Sequence, residues 1–211
     1  YVAYAGPDNF YTTARCHDLH LYMYAAMLAG QFAPALTAAD RICATADVGL
    51  IKSSAPFMAS ILDGYSAMRT HVLVRFGKWR QLTLEPAPVS PEVTPVCAAM
   101  HLYGKGIAHS ALGEIDQAER TYDAFTHAVQ RIPKESVLLN NTCEDVMAVG
   151  EAMLNGELEY RKHNFDAAFE KLREAVRRDD SLNYTEPWAW MHPPRHALGA
   201  LLAEQGRFDE A

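Results

Sequence analysis

Five side chains offer this sequence its most specific chemistry: His17, His20, His71, Glu157 and His196. His17 and His20 stand three residues apart, a spacing that puts both on one helical face, with Asp18 beside them. Brought together from neighbouring helices, neutral imidazoles and one carboxylate make the donor set that zinc or non-haem iron takes. A metal held there would polarise a bound substrate or activate water. Nine of the 211 residues are histidine, so imidazoles are plentiful. There is no H-E-x-x-H signature, however, and an i, i+3 histidine pair also occurs as ordinary solvated or hydrogen-bonded side chains. Tyr184, Glu186, Trp188 and Trp190 form a second group. Their rings and carboxylate suit an aromatic cage or lid over a ligand, or else a plug in a gap between helices.

Other chemistries find little support. No G-x-S-x-G nucleophile elbow and no glycine-rich phosphate loop occurs. Cys16, Cys43, Cys97 and Cys143 are widely spaced without a C-x-x-C pair, and read as reduced, buried thiols rather than a zinc ribbon or disulfide framework. Lys171, Arg173, Arg177 and Arg178 make a basic run, but Glu170, Glu174, Asp179 and Asp180 interleave with it. That pattern is a salt-bridged helix face, not a phosphate site.

The composition is that of a folded domain: 49% hydrophobic and 21% charged residues, with a net charge of −7. An acidic chain lacks the basic stripe that nucleic acid requires. No apolar run approaches the roughly 18–20 residues of a membrane span. Asp63, Arg69 and His71 cut one candidate, and Glu151 and Glu157 the other. Residues 1–211 are expected to form one unit that acts in the cytoplasm. The chain opens at Tyr1 without Met and stops at Ala211 inside a repeated motif, so it is expected to be a piece of a longer protein.

That motif organises the chain. Gly30-Gln31-Phe32-Ala33-Pro34-Ala35 recurs as Gly113-Glu114-Ile115-Asp116-Gln117-Ala118, His163-Asn164-Phe165-Asp166-Ala167-Ala168 and Gly206-Arg207-Phe208-Asp209-Glu210-Ala211. Gly77-Lys78-Trp79-Arg80-Gln81-Leu82 is a degenerate copy. The physics is that of a helical hairpin. Glycine ends one helix in the left-handed conformation, the ring or branched residue two places on packs into the corner, and alanine lets the next helix approach closely. Arg75 and Trp79 are expected to be structural residues at the second corner. Gly106, Gly156 and Gly199 each precede a loop position by seven residues, where tight packing inside a hairpin is expected. Three inserts interrupt the series: a proline-rich connector from Pro86 with Pro95 just beyond, a stretch from Pro133 to Glu144, and another from Asp179 to Pro194. The middle insert is read as a lengthened helix followed by an N-cap at Asn140-Asn141-Thr142. Strand signals are nearly absent.

The glycine, aromatic and alanine pattern resembles the tetratricopeptide repeat. His17-Asp18-Leu19-His20, Arg75-Phe76-Gly77-Lys78-Trp79 and Tyr184-Thr185-Glu186-Pro187 before Trp190 resemble, in particular, a group of uncharacterised bacterial-type tetratricopeptide proteins, which brings a fold but no activity. The fold implied is an all-α solenoid of about five hairpins with irregular inserts, although 50 residues separate Gly106 from Gly156 and 43 separate Gly156 from Gly199, against the family's 34. The resemblance further implies that the first helix of each hairpin faces a concave groove. His17, His20, Tyr24, His71, Tyr103, Glu157, Tyr160, Arg161 and His196 would then line it, with Met27, Val74, Met100, Ile107, Ser110, Met153, Pro193, Ala200 and Glu204 among them. The lysine and asparagine of a two-carboxylate clamp are missing from those positions. The expected function is binding of a peptide, a partner protein or a small ligand in that groove, with self-assembly open. A metal-dependent enzyme using the five residues above is the alternative.

Overall fold

In a computed structural model, residues 4, 9 and 11–211 are described; Tyr1 lies outside them. Helix accounts for 69% of residues and strand for 2%. The order is α1 (Thr12–Leu28), α2 (Phe32–Thr45), α3 (Val48–Ser53), α4 (Pro56–Ser66), α5 (Met68–Arg75), α6 (Trp79–Leu84), α7 (Pro95–Ala111), α8 (Ile115–Val129), a two-stranded ribbon, α9 (Cys143–Arg161), α10 (Phe165–Asp180) and α11 (Pro194–Glu204). Among the described residues no helix is long and apolar enough to cross a membrane.

Consecutive helices pair as hairpins: α1 with α2, α5 with α6, α7 with α8, and α9 with α10. The turns between them sit at Gly30, Gly77, Gly113 and His163, all at positive φ, and Gly206 repeats that conformation after α11. Only histidine among the five carries a Cβ into the left-handed region, where an L side chain crowds the following carbonyl. Close approach also follows two of the glycines, between neighbouring hairpins at Gly106, rather than inside one as expected, and inside the α9–α10 hairpin at Gly156. A Cβ at Gly106 would lie 2.8 Å from Leu154 Cδ1, and one at Gly156 would lie 2.8 Å from Leu172 Cγ. No comparable demand exists at Gly199. The corner aromatics pack edge-on, Phe32 against Phe76 at 5.2 Å and Tyr160 against Phe165 at 5.2 Å.

The inserts do separate work. Asp47 caps α3 by accepting from the Leu50 N–H at 2.9 Å. Asp63, buried on α4, accepts from the backbone N–H groups of Val96 and Cys97 at 2.8 and 3.0 Å, so a carboxylate from one helix caps the start of α7 across the proline-rich connector. Burial raises that carboxyl to about 6, against the lowering effect of these two bonds. The Pro133 insert departs from the expected lengthened helix. α8 stops at Val129, and β1 (Val137–Leu138) pairs antiparallel with β2 (Asn141–Thr142). Ser60 on α4 holds this ribbon, donating to the Val137 carbonyl and accepting from its N–H, both at 2.7 Å. Thr142 does cap the next helix, accepting from Asp145 N–H at 3.1 Å.

Two hydrophobic cores meet at the segment before α11. Trp190 belongs to the core of α7, α8 and α9, with Tyr103, Phe125 and Leu154. Its neighbour Met191 belongs to the core of α1, α2 and α4, with Met23, Ile42 and Tyr65. A Cβ on Gly150 would come within 2.7 Å of Trp190 Cη2, so the indole lies directly on the α9 backbone.

Candidate functional site

Four helices leave a cavity of about 400 Å³ between them. α5 and its turn supply Val74, Arg75, Gly77 and, just beyond, Trp79; α7 supplies Tyr103 and Ile107. α9 supplies Met153, Glu157 and Arg161, and α11 with the residues before it supplies His192, Pro193, His196 and Ala200. Leu172 and Leu201 close the apolar floor. These side chains converge because each helix repeats its inward positions every three or four residues: Tyr103 with Ile107, Met153 with Glu157, His196 with Ala200.

The cavity's polar groups are few. Glu157 Oε1 accepts from Arg161 Nε at 2.8 Å, an i, i+4 pair, and the Arg161 guanidinium lies 5.4 Å from the centre of the Tyr160 ring. Tyr103 is fully buried and its hydroxyl has no partner among the described residues. Burial, with Glu157 nearby, pushes its phenol far above the ordinary value. His192 donates: its Nε2 lies 2.7 Å from the His71 carbonyl oxygen, which only accepts, so Nε2 carries the proton. Nδ1 is left as an acceptor without a partner. Burial lowers this imidazole to about 4, outweighing the raising effect of that bond, with Arg75 contributing to the lowering.

Behind His192 lie two more buried imidazoles. The His71 ring is 4.8 Å from that of His192 and 5.5 Å from that of Trp190. Burial, His192 and His20 together hold His71 well below the usual histidine range. His20 Nε2 contacts Met191 Sδ at 3.0 Å and its ring meets Tyr65 edge-on at 5.4 Å. Burial first, and His17 second, lower it to about 3. The Nδ1 atoms of His20 and His71 have no partners either. The segment 190–192 is thus clamped between α1, α5 and α7 by aromatic edges and neutral imidazoles.

The expected metal ligands are therefore not brought together. Glu157 and His196 border the cavity, while His20 and His71 face the segment 190–192, which takes up the space between them and the cavity. His17 lies on the outer part of α1, with Nδ1 3.7 Å from Asp18. Among the described residues no group of three or more His, Cys, Asp or Glu side chains is arranged to hold a metal ion. Of the other expected groove residues, Tyr103, Arg161, Val74, Ile107, Met153, Pro193 and Ala200 border the cavity, whereas Met27, Met100 and Ser110 are buried in the packing and Glu204 is exposed away from it. Tyr24 is half-buried away from it, and Tyr160 turns into a separate core, its hydroxyl accepting from Gln205 at 2.8 Å.

The aromatic group also divides. Trp190 is core, a plug rather than a lid. Tyr184 and Trp188 are exposed, Tyr184 bonds Glu186, and none of the three borders the cavity. Seven lining residues lie outside the expected groove: Arg75, Gly77 and Trp79 at the second corner, Leu172, Ala197 and Leu201 on their helices, and His192 in an insert without helical register. The thiols are unpaired, and burial pushes Cys16 up to about 11 and Cys143 up to about 12, so neither is an activated nucleophile. Among the described residues, three of the four cations in the basic run are ion-paired: Glu174 takes Lys171 at 3.0 Å and Arg178 at 2.6 Å, and Arg173 pairs with Glu210.

Compared with protein-family models, with curated proteins and with solved structures, the chain matches none.

Proposed function

We propose that the chain is a non-catalytic binding module, a tetratricopeptide-like solenoid of about five hairpins whose concave side holds one compact ligand. The observation that carries this is the cavity's parentage: it lies between α5, α7, α9 and α11, the first helices of successive hairpins in the repeat register. Stacked repeats make a continuous inner surface, and an apolar hollow with a few convergent polar groups is the usual form of a small-ligand site. The segment 190–192 fills the α1 side of that surface, so what remains is a bounded hollow rather than a channel for an extended peptide. Four unpaired thiols suit a reducing compartment such as the cytoplasm.

Occlusion tests the reading. Ala200 is on the cavity wall and otherwise exposed, so Ala200→Trp fills the hollow without disturbing a core. A fragment library screened by ligand-observed NMR should give hits on the natural chain that vanish in Ala200→Trp at unchanged melting temperature. Hits that persist in the filled variant would place binding elsewhere and refute the cavity as the site.

A further inference from the structure

Charge around the cavity is unbalanced. Arg75 stands at its edge in the last turn of α5, exposed, and forms no ion pair with a described carboxylate. Its Nε makes only a long 3.5 Å approach to the Met27 carbonyl. Across the hollow Arg161 already holds Glu157, the single acid on the lining, so one positive charge is left unmatched. The first turn of α11 adds to it. That turn has no acidic residue and no side-chain cap. Pro193 and Pro194 carry no N–H and the His196 N–H donates to the Pro193 carbonyl at 2.9 Å, so what Pro193, His196 and Ala197 bring to the cavity wall is the positive end of the helix dipole. His192 lies on the same wall but gives its one proton to the His71 carbonyl, so Arg75 is the side chain left to meet an anion. Beneath these groups the floor is hydrocarbon from Ile107, Met153, Leu172 and Leu201.

We propose that the cavity takes a small monocarboxylic acid with an apolar body, its carboxylate beside Arg75 and the first turn of α11 and its hydrocarbon or aryl part on the Ile107–Leu201 floor. This rests on the cavity being the binding site. The match is by charge and by surface together. A cation meets an unpaired guanidinium, and a dianion such as a phosphate monoester exceeds the one unmatched charge. A neutral apolar molecule fills the floor but leaves Arg75 and the helix end unanswered. Arg75 and a carboxylate form the stronger, charge-assisted type of hydrogen bond, and a partly enclosed site screens them less than open water does.

Calorimetric titration of the natural chain with 4-phenylbutanoate and with 4-phenylbutanamide separates charge from shape, because the two differ only in the head group. The acid should bind at least tenfold more tightly than the amide. In Arg75→Gln that preference should fall below about threefold while the amide's affinity stays unchanged; Arg75→Lys should keep most of it. Melting temperatures report whether either variant is folded. A third titrant, a short peptide with a C-terminal phenylalanine and free carboxylate, tests the occupant: peptide binding without 4-phenylbutanoate binding would overturn the small-acid assignment. Equal affinities for acid and amide, or a preference that survives Arg75→Gln, would overturn the charge argument while leaving the cavity as a site. If no titrant binds at millimolar concentration to the natural chain, while Ala200→Trp also leaves the fragment hits unchanged, the cavity reading itself falls.

Discussion

Acidification should reveal the three buried imidazoles as a measurable loss of stability. In the folded chain His20 and His192 sit near 3 and 4, and His71 well below its usual value, whereas in the unfolded chain each titrates near 6.5. Between those limits the unfolded state binds the protons, so stability is complete above about pH 7 and falls as the pH drops through 6.5. At pH 5 each imidazole that is charged when unfolded and neutral when folded costs about 2 kcal/mol. Two carboxyls act in the opposite sense. Asp63 and Asp179 are raised to about 6, chiefly by burial, so the folded chain takes up their protons first and each adds about 1 kcal/mol over the same descent. The raw pH profile therefore mixes opposing slopes, and the informative quantity is a difference. Urea unfolding followed by far-ultraviolet circular dichroism at pH 7.5 and 5.0, on the natural chain and on His192→Gln, isolates one imidazole. His192→Gln keeps a donor for the His71 carbonyl and should lose about 2 kcal/mol less between the two pH values. That equals a melting-temperature difference of roughly 4–8 °C in a chain of this size. Identical pH dependence in the two proteins would mean that His192 is protonated in the fold or already exposed, and the clamped-segment description would fail.

Three further outcomes follow from the packing. Trp190→Ala removes a fully buried indole that joins α7 and α9 and should cost about 3–5 kcal/mol by chemical denaturation, with loss of near-ultraviolet dichroism. Gly150→Ala places a methyl 2.7 Å from that indole and should destabilise by about 1–3 kcal/mol, because ring and α9 backbone must separate; an unchanged midpoint would show that the contact is loose. His163→Gly, at φ 65°, should raise stability by about 1 kcal/mol in urea by relieving the left-handed Cβ crowding, offset in part by the freedom glycine gains when unfolded.

The hairpins were legible because their signals are local. Gly30, Gly113 and Gly206 punctuate helix ends within five or six residues of what they organise, and Gly106 and Gly156 face Leu154 and Leu172 from positions fixed by helical repeat. The ribbon at Val137–Thr142 was not, since its two-residue strands carry no alternation and depend on Ser60, 77 residues earlier in the chain. The site divides the same way. Tyr103, Glu157, Arg161 and His196 keep helical register and border the cavity. His20 and His71 keep register too, yet face residues 190–192, because an aperiodic insert occupies the space that register alone would leave open. His192 and Trp190 lie in that insert, where spacing predicts no direction for a side chain.

The carboxylate of Asp63 joins α4 to the start of α7 without using the backbone that runs between them. Residues 85–94 are therefore a tether rather than a strut: the geometry of the α4–α7 joint is stored in two hydrogen bonds and the surrounding apolar contacts. Cleaving that stretch with a site-specific protease should leave two fragments that stay associated through gel filtration. Moving the termini there should give a circular permutant with the parent's topology. Asp63→Asn keeps one acceptor, but its amide nitrogen presents a donor to the second backbone N–H; the fragments should then associate more weakly, still held by the Ser60–Val137 bonds and by Met191 in the core of α1, α2 and α4.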